Sequence, residues 1–188
     1  MGSLHLLRHT RLQVDEGVCY GQLDEPLATS FEAERAAVLE RSHACMPTAV
    51  FSSPLTRCMR LAESIADEHG LSARRDRRLL EMHFGAWQGR AWAEVPRHQL
   101  DQWSADFYHA SPHGGESVAQ FTVRVRQALG ECQAASRRAL VVTHAGVIRA
   151  ALALTHRPDA WQQRIGYGQL ITIDEDLAGE EFVAPTAR

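Results

Sequence analysis

Short apolar runs alternate along this chain with longer stretches in which apolar residues recur every three or four positions. Leu4, Leu6 and Leu7 form the first run, which stops at Arg8 and predicts a strand. Ala49, Val50 and Phe51 predict a second. Residues 139–142 predict a third of the fully buried kind, apolar at consecutive positions because both faces would be covered. Helical spacing fills the intervals. Residues 30–41 carry Phe31, Ala33, Ala36, Ala37, Val38 and Leu39 on a helix opened by Thr29 or Ser30 and stopped before Pro47. Residues 55–69 do the same through Met59, Ala62, Ile65 and Ala66, with Gly70 as the C-terminal stop. Further helices are predicted over 116–134, through Val118, Phe121, Val125 and Leu129, and over 146–155, and further strands over 74–80 and 169–173. The tryptophan-rich stretch 81–112 has no clear period.

Strands alternating with helices demand crossover connections, and so a mainly parallel sheet covered on both faces. The expected fold is α/β, a three-layer α/β/α sandwich, in one domain over 1–188, since neither a repeat nor a linker breaks the pattern. In such sheets ligands bind beyond the carboxyl ends of the strands. Three predicted strands end in chemically active residues: Arg8-His9, then Ser52-Ser53-Pro54 with Arg57, then His144 after Thr143. Each residue alone reads as a surface arginine or a structural histidine. Their shared placement would bring two arginines and two histidines to one crevice, the composition of a pocket for a phosphate dianion. Helices beginning near Pro54 and Gly146 would aim N-terminal amides at the same place.

Composition narrows the function. A chain of 188 residues buries enough apolar surface to fold without disulfides or a structural metal. Its 20 basic and 23 acidic side chains give a net charge of -3, with no general attraction for nucleic acid or anionic lipid. Every basic residue is arginine. The missing lysine removes the Walker-type phosphate loop and lysine Schiff-base chemistry, leaving arginine, histidine and backbone amides to hold any anion. Arginine's planar fork suits phosphate. Cys19, Cys45, Cys58 and Cys132 are too scattered for a disulfide framework or cysteine zinc site and point to a reducing cytoplasm. MGSLHLL has no basic signal region and no apolar run is long enough to span a bilayer, so neither secretion nor membrane anchoring is expected. His109 and His113 have Ser111-Pro112 between them and no acidic partner, so no metal is expected there.

Five segments in order, LLRHT (6–10), SSPLTRC (52–58), LLEMHFGAWQGR (79–90), HGGES (113–117) and LVVTHAGVIR (140–149), resemble the histidine phosphatase, or phosphoglycerate mutase-like, superfamily. With CYGQLDEPLA (19–28) and the short length, the pattern looks most like bacterial α-ribazole-5′-phosphate phosphatases of cobalamin assembly. The resemblance implies a phosphomonoesterase that needs neither metal nor cofactor. His9 would attack phosphorus to form a phosphohistidine that water hydrolyses. Arg8, Arg57 and His144 would surround the phosphoryl oxygens, where phosphoryl transfer spreads its charge. Glu81 would protonate the leaving oxygen and then take a proton from the attacking water. An imidazole is nucleophilic only when neutral, so His9 needs its other ring nitrogen to donate to a fixed acceptor such as a backbone carbonyl.

The first motif departs from the family pattern. Thr10 replaces the usual glycine, Arg11 the acidic residue after it, and the asparagine a few positions on is absent, with Asp15 nearby. One phosphate donor is therefore unassigned. Arg11, Gln22 or the 19–21 loop could supply it, whereas an ionised Asp15 cannot donate. Glu116 and Ser117 either cap the following helix or touch substrate. Trp87, Trp92, Trp103, Phe107 and Tyr108 either fill a local core or stack on a substrate ring. Two alternatives stand beside the α-ribazole reading: a phosphatase of the same chemistry with broad, sugar-phosphate or phosphoglycerate specificity, and a non-catalytic phosphate-binding scaffold. A small-molecule phosphomonoester is the expected partner, and a homodimer stays open.

Overall fold

The computed structural model describes residues 2–179 and 182–185. In chain order its elements are β1 (Ser3–Arg8), β2 (Val18–Cys19), α1 (Phe31–Cys45), β3 (Ala49–Ser52), α2 (Thr56–Glu68), β4 (Ala73–Arg75), β5 (Arg90–Ala91), α3 (Arg97–Ala105), α4 (Val118–Ala135), β6 (Arg138–Thr143), α5 (Ala145–Leu154) and β7 (Leu170–Ile173). Five strands form one sheet in the order β4-β3-β6-β1-β7. The first four run parallel and β7 is antiparallel at the edge, so the expected α/β architecture with a mainly parallel sheet holds.

Alternate residues of each central strand face opposite layers. Leu4 and Leu6 of β1, Phe51 of β3 and Val141 of β6 pack with Phe121, Val125 and Leu129 of α4 and Val147 and Ile148 of α5. Leu7, Val50, Leu140 and Val142 face the other way, onto Val38 of α1 and Leu61, Ala62 and Ile65 of α2. Two apolar layers thus sandwich the sheet, which is why these strands read as unbroken apolar runs.

The 74–80 strand is the main correction. It ends at Arg75, because the Asp76 carboxylate accepts the backbone N–H of Arg78 at 2.8 Å and turns residues 77–79 into a short 3-10 helix. The first helix runs past residue 41 to Cys45, stopping where Met46 takes a left-handed φ of 41° just before Pro47. The two-residue pairing of β2 with β5, and helix α3, both fall where no element was predicted.

Candidate active site

Parallel register places the carboxyl ends of β1, β3 and β6 side by side. Leu7 lies opposite Val142 and Arg8 opposite Thr143. The hydrogen bonds continue past the strands: His9 N–H donates to the Thr143 carbonyl, and Ser53 N–H to that of Val142, both at 3.0 Å. His9 and His144 therefore leave the sheet as neighbours, with ring centroids 5.3 Å apart. Arg57, in the first turn of α2, donates through Nε to His144 Nδ1 at 3.3 Å. That donor assigns the imidazole proton to Nε2, which donates to Ser53 Oγ at 2.8 Å. His9 has the opposite tautomer: Nδ1 donates to the Thr10 carbonyl at 2.7 Å, leaving the Nε2 lone pair free. Burial, with the charge of Arg57 next in weight, holds both rings well below the usual histidine range, so both are neutral at neutral pH.

Both arginines of the cluster are anchored by carbonyls. Arg57, fully buried, donates through Nη2 to Gly21 at 2.6 Å and through Nη1 to Leu23, fixing the loop after β2 against α2. Arg8 donates through Nη1 to the Ile165 carbonyl at 2.6 Å, and its guanidinium stacks 3.8 Å from the centre of the Tyr167 ring. Arg8 Nε and Thr10 Oγ1 are buried and have no hydrogen-bond partner among the described residues. Each such orphan costs about 1–3 kcal/mol, a penalty that native proteins concentrate where function needs the group.

Glu81 meets this cluster from the segment after β4. Its Oε1 accepts the Met82 N–H at 2.9 Å, and its Oε2 accepts the Gly146 N–H at 3.1 Å, in the first turn of α5. Only glycine permits that approach, since a Cβ at position 146 would collide with Oε1. The Glu81 carbonyl is held separately, by Gln22 Nε2 at 2.8 Å and Arg124 Nη2 at 3.0 Å. Arg124 also forms a bidentate pair with Glu116, at 2.5 and 2.7 Å, while Glu116 Oε2 accepts the His83 N–H.

The remaining sequence candidates separate clearly. Ser117 caps α4, its hydroxyl accepting the Gln120 N–H while the Gln120 side chain accepts the Ser117 N–H. Glu116 is engaged with Arg124 and the 83 backbone. Arg11 turns outward and pairs with Glu34 at 3.4 Å. None of these three lines the cavity beside the cluster.

That cavity has a volume of about 290 Å³. Arg8, Glu81, Gly146 and Arg149 form its polar side; Phe84, Trp92, Trp103, Phe107, Phe121 and Trp161 form much of the rest. The aromatic stretch divides between a local core and a cavity wall. Trp87 is core, buried with Cys19 and Val95, and donates its indole N–H to Gln99, whereas Trp92, Trp103 and Phe107 line the chamber. Tyr108 packs behind, its hydroxyl accepting from Trp161 Nε1. Sequence reasoning missed Arg149, Phe84, Trp161 and Tyr167, and reached Tyr20 only as part of the 19–21 loop. Arg149, Phe84 and Tyr20 lie within the motif segments, but nothing in the spacing assigned them to a cavity wall. Among the described residues, no group of three or more His, Cys, Asp or Glu side chains is placed to hold a metal ion, and no helix is long and apolar enough to cross a membrane.

Glucosyl-3-phosphoglycerate phosphatase of Mycobacterium tuberculosis is 32% identical over 162 residues, covering 78% of this chain and 72% of its own. The structure of mycobacterial glucosyl-3-phosphoglycerate phosphatase with VO3 superposes with a TM-score of 0.81 at 28% identity, over 95% of this chain and 94% of that one. A phosphoserine phosphatase from Entamoeba histolytica, in complex with 3-phosphoglyceric acid, shares the fold at 21% identity and a TM-score of 0.79, covering 92% and 90% of the two chains. Residues 4–184 match the model of the histidine phosphatase superfamily (branch 1). The chain belongs to that superfamily, and its enzymatic class is phosphoric monoester hydrolase.

Proposed function

We propose that this enzyme hydrolyses phosphomonoesters through a phosphohistidine at His9, without a metal, and that its leaving group carries an aromatic ring. α-Ribazole 5′-phosphate, of cobalamin nucleotide-loop assembly, is the substrate of this kind that the sequence motifs favour. The observation carrying the chemistry is the 2.7 Å bond from His9 Nδ1 to the Thr10 carbonyl, which keeps Nε2 unprotonated and aimed by a fixed acceptor. Nε2 attacks phosphorus, the ester P–O bond breaks, and Glu81 gives its proton to the departing oxygen. Water then attacks the phosphohistidine, Glu81 takes the water's proton, and inorganic phosphate leaves. Arg8 and Arg57 stabilise the charge on the phosphoryl oxygens, joined by His144 once its Nε2–H turns from Ser53 to a phosphoryl oxygen.

The aromatic chamber supports the choice of leaving group, because it adjoins Glu81 and Arg8 and offers ring faces for stacking. A second reading, a phosphoglycerate-type substrate, is favoured by Arg149. Its Nε donates to the Gln163 carbonyl at 2.9 Å, and the chamber could engage a carboxylate through the rest of the guanidinium. Turnover of α-ribazole 5′-phosphate, 3-phosphoglycerate and sugar phosphates, measured side by side, tests the specificity; comparable rates on all would remove the aromatic assignment. Brief exposure to a 32P-labelled phosphomonoester should leave acid-labile, base-stable label on the protein and none on His9→Ala. An unlabelled, inactive wild-type protein would instead indicate a binding scaffold.

A further inference from the structure

Two tyrosines from distant parts of the chain cover the nucleophile. The His9 ring centroid lies 6.4 Å from that of Tyr20 and 5.7 Å from that of Tyr167. Their hydroxyl oxygens are 3.5 Å apart. Arg8 Nη2 donates to the Tyr20 hydroxyl at 3.3 Å, and the guanidinium of Arg57 lies 5.1 Å from the Tyr20 ring centroid.

The tyrosine pair has more O–H donors than it can satisfy internally. Each phenol brings one O–H, and the pair can make only one bond between them, so at least one O–H reaches no acceptor among the described residues. Two further donors, Arg8 Nε and the hydroxyl of Thr10 next to His9, are buried without a partner among the described residues. The free nitrogen of His9 takes no hydrogen bond from either tyrosine. A site rich in donors and poor in acceptors suits an anion. Of the sequence candidates for the unassigned donor, Arg11 pairs with Glu34 and one N–H of the Gln22 amide is held by the Glu81 carbonyl. Burial, with Tyr167 next in weight, pushes the Tyr20 phenol up to about 12, so it keeps its proton and remains a donor even beside Arg8.

We propose that Tyr20 and Tyr167 are catalytic residues whose hydroxyls part from each other and donate to oxygens of the transferring phosphoryl group. They fill the donor position for which the first motif has no asparagine. This inference rests on the phosphohistidine reading above.

Tyr20→Phe and Tyr167→Phe keep the rings that stack with the arginines and delete only the donors. Removing one donor to a transition-state oxyanion typically costs about 10²–10³ in rate. Each variant should lose at least about tenfold in kcat/KM on p-nitrophenyl phosphate, and its inhibition constant for orthovanadate should rise by a similar factor. Variants within twofold of wild type in both readouts overturn the inference, as does a gain in kcat/KM, which would make the pair only a cover. Thermal melting checks the fold of each variant, and if one fails to fold the other decides. A further readout uses the unaltered protein: saturating inorganic phosphate should shift the tyrosine absorbance difference spectrum, and an unchanged spectrum counts against the inference. Wild-type turnover and His9 labelling separate the two proposals. Without them the phosphohistidine reading falls; with them intact and both Phe variants normal, only the tyrosine assignment falls.

Discussion

Two imidazoles buried 5.3 Å apart beside the guanidiniums of Arg8 and Arg57 cannot readily take up protons. Their pKa values are held well below 6.5, first by burial and then by Arg57. In the unfolded chain the same rings titrate near their ordinary value of about 6.5. As the pH falls through that value the unfolded chain binds protons that the folded chain refuses, so stability present above pH 6.5 is progressively lost below it. Phosphate bound at the cluster opposes this shift by favouring the charged rings. We expect 15N-labelled histidine spectra of the free protein to show both rings neutral at pH 6.5, with phosphate raising their titration midpoints. Half-protonation of either ring at pH 6.5 without phosphate would contradict this account. A melting temperature independent of pH from 7 to 5 would argue against the linkage.

At the level of elements, α5 begins directly after β6, and the closeness of that junction brings the Gly146 amide to Glu81. Gly146→Ala forces the carboxylate away, and kcat should fall at least about tenfold with the fold intact; an unchanged kcat would mean that Glu81 acts from another position. Arg124 does comparable work on the backbone, holding the carbonyls of Arg78, Leu80 and Glu81 while pairing with Glu116. Arg124→Leu should cost about 3 kcal/mol in chemical denaturation, as loss of one partner from a largely buried pair does, and should lower kcat as the Glu81 segment loosens. A variant as stable as wild type would remove that role. The same elements show what sequence periodicity can and cannot reveal. Helices α2, α4 and α5 each bury a face, so their apolar residues recur at helical spacing. Helix α3 buries no residue, and residues 97–105 accordingly carry no signal. β2 and β5 are two residues long, too short for any alternation. The 74–80 strand was overread because the turn at Asp76 depends on a side-chain bond that spacing does not encode.

Across the whole molecule, the meeting of Arg8, His9, Arg57 and His144 was legible because a parallel sheet brings all its carboxyl ends to one edge, so three separate motifs implied one site. The chamber was not, because its walls come from the 18–21 loop, the segment after β4, helices α3 to α5 and Trp161, which share no period. Its mixed wall gives a selectivity experiment with two opposed arms. Trp92 offers a ring face without belonging to the fully buried core, and Arg149 offers charge from α5. Stacking a heterocycle on an aromatic side chain is worth about 1–3 kcal/mol, and about 1.4 kcal/mol is a tenfold change in affinity. Trp92→Ala should therefore raise KM at least about fivefold for a phosphomonoester with an aromatic leaving group and leave 3-phosphoglycerate nearly unaffected. Arg149→Ala should do the reverse, because only the carboxylate loses a partner. If both variants shift KM for both substrates to the same degree, the chamber does not discriminate between leaving groups. Selectivity would then have to arise at the phosphate cluster, where all phosphomonoesters look alike.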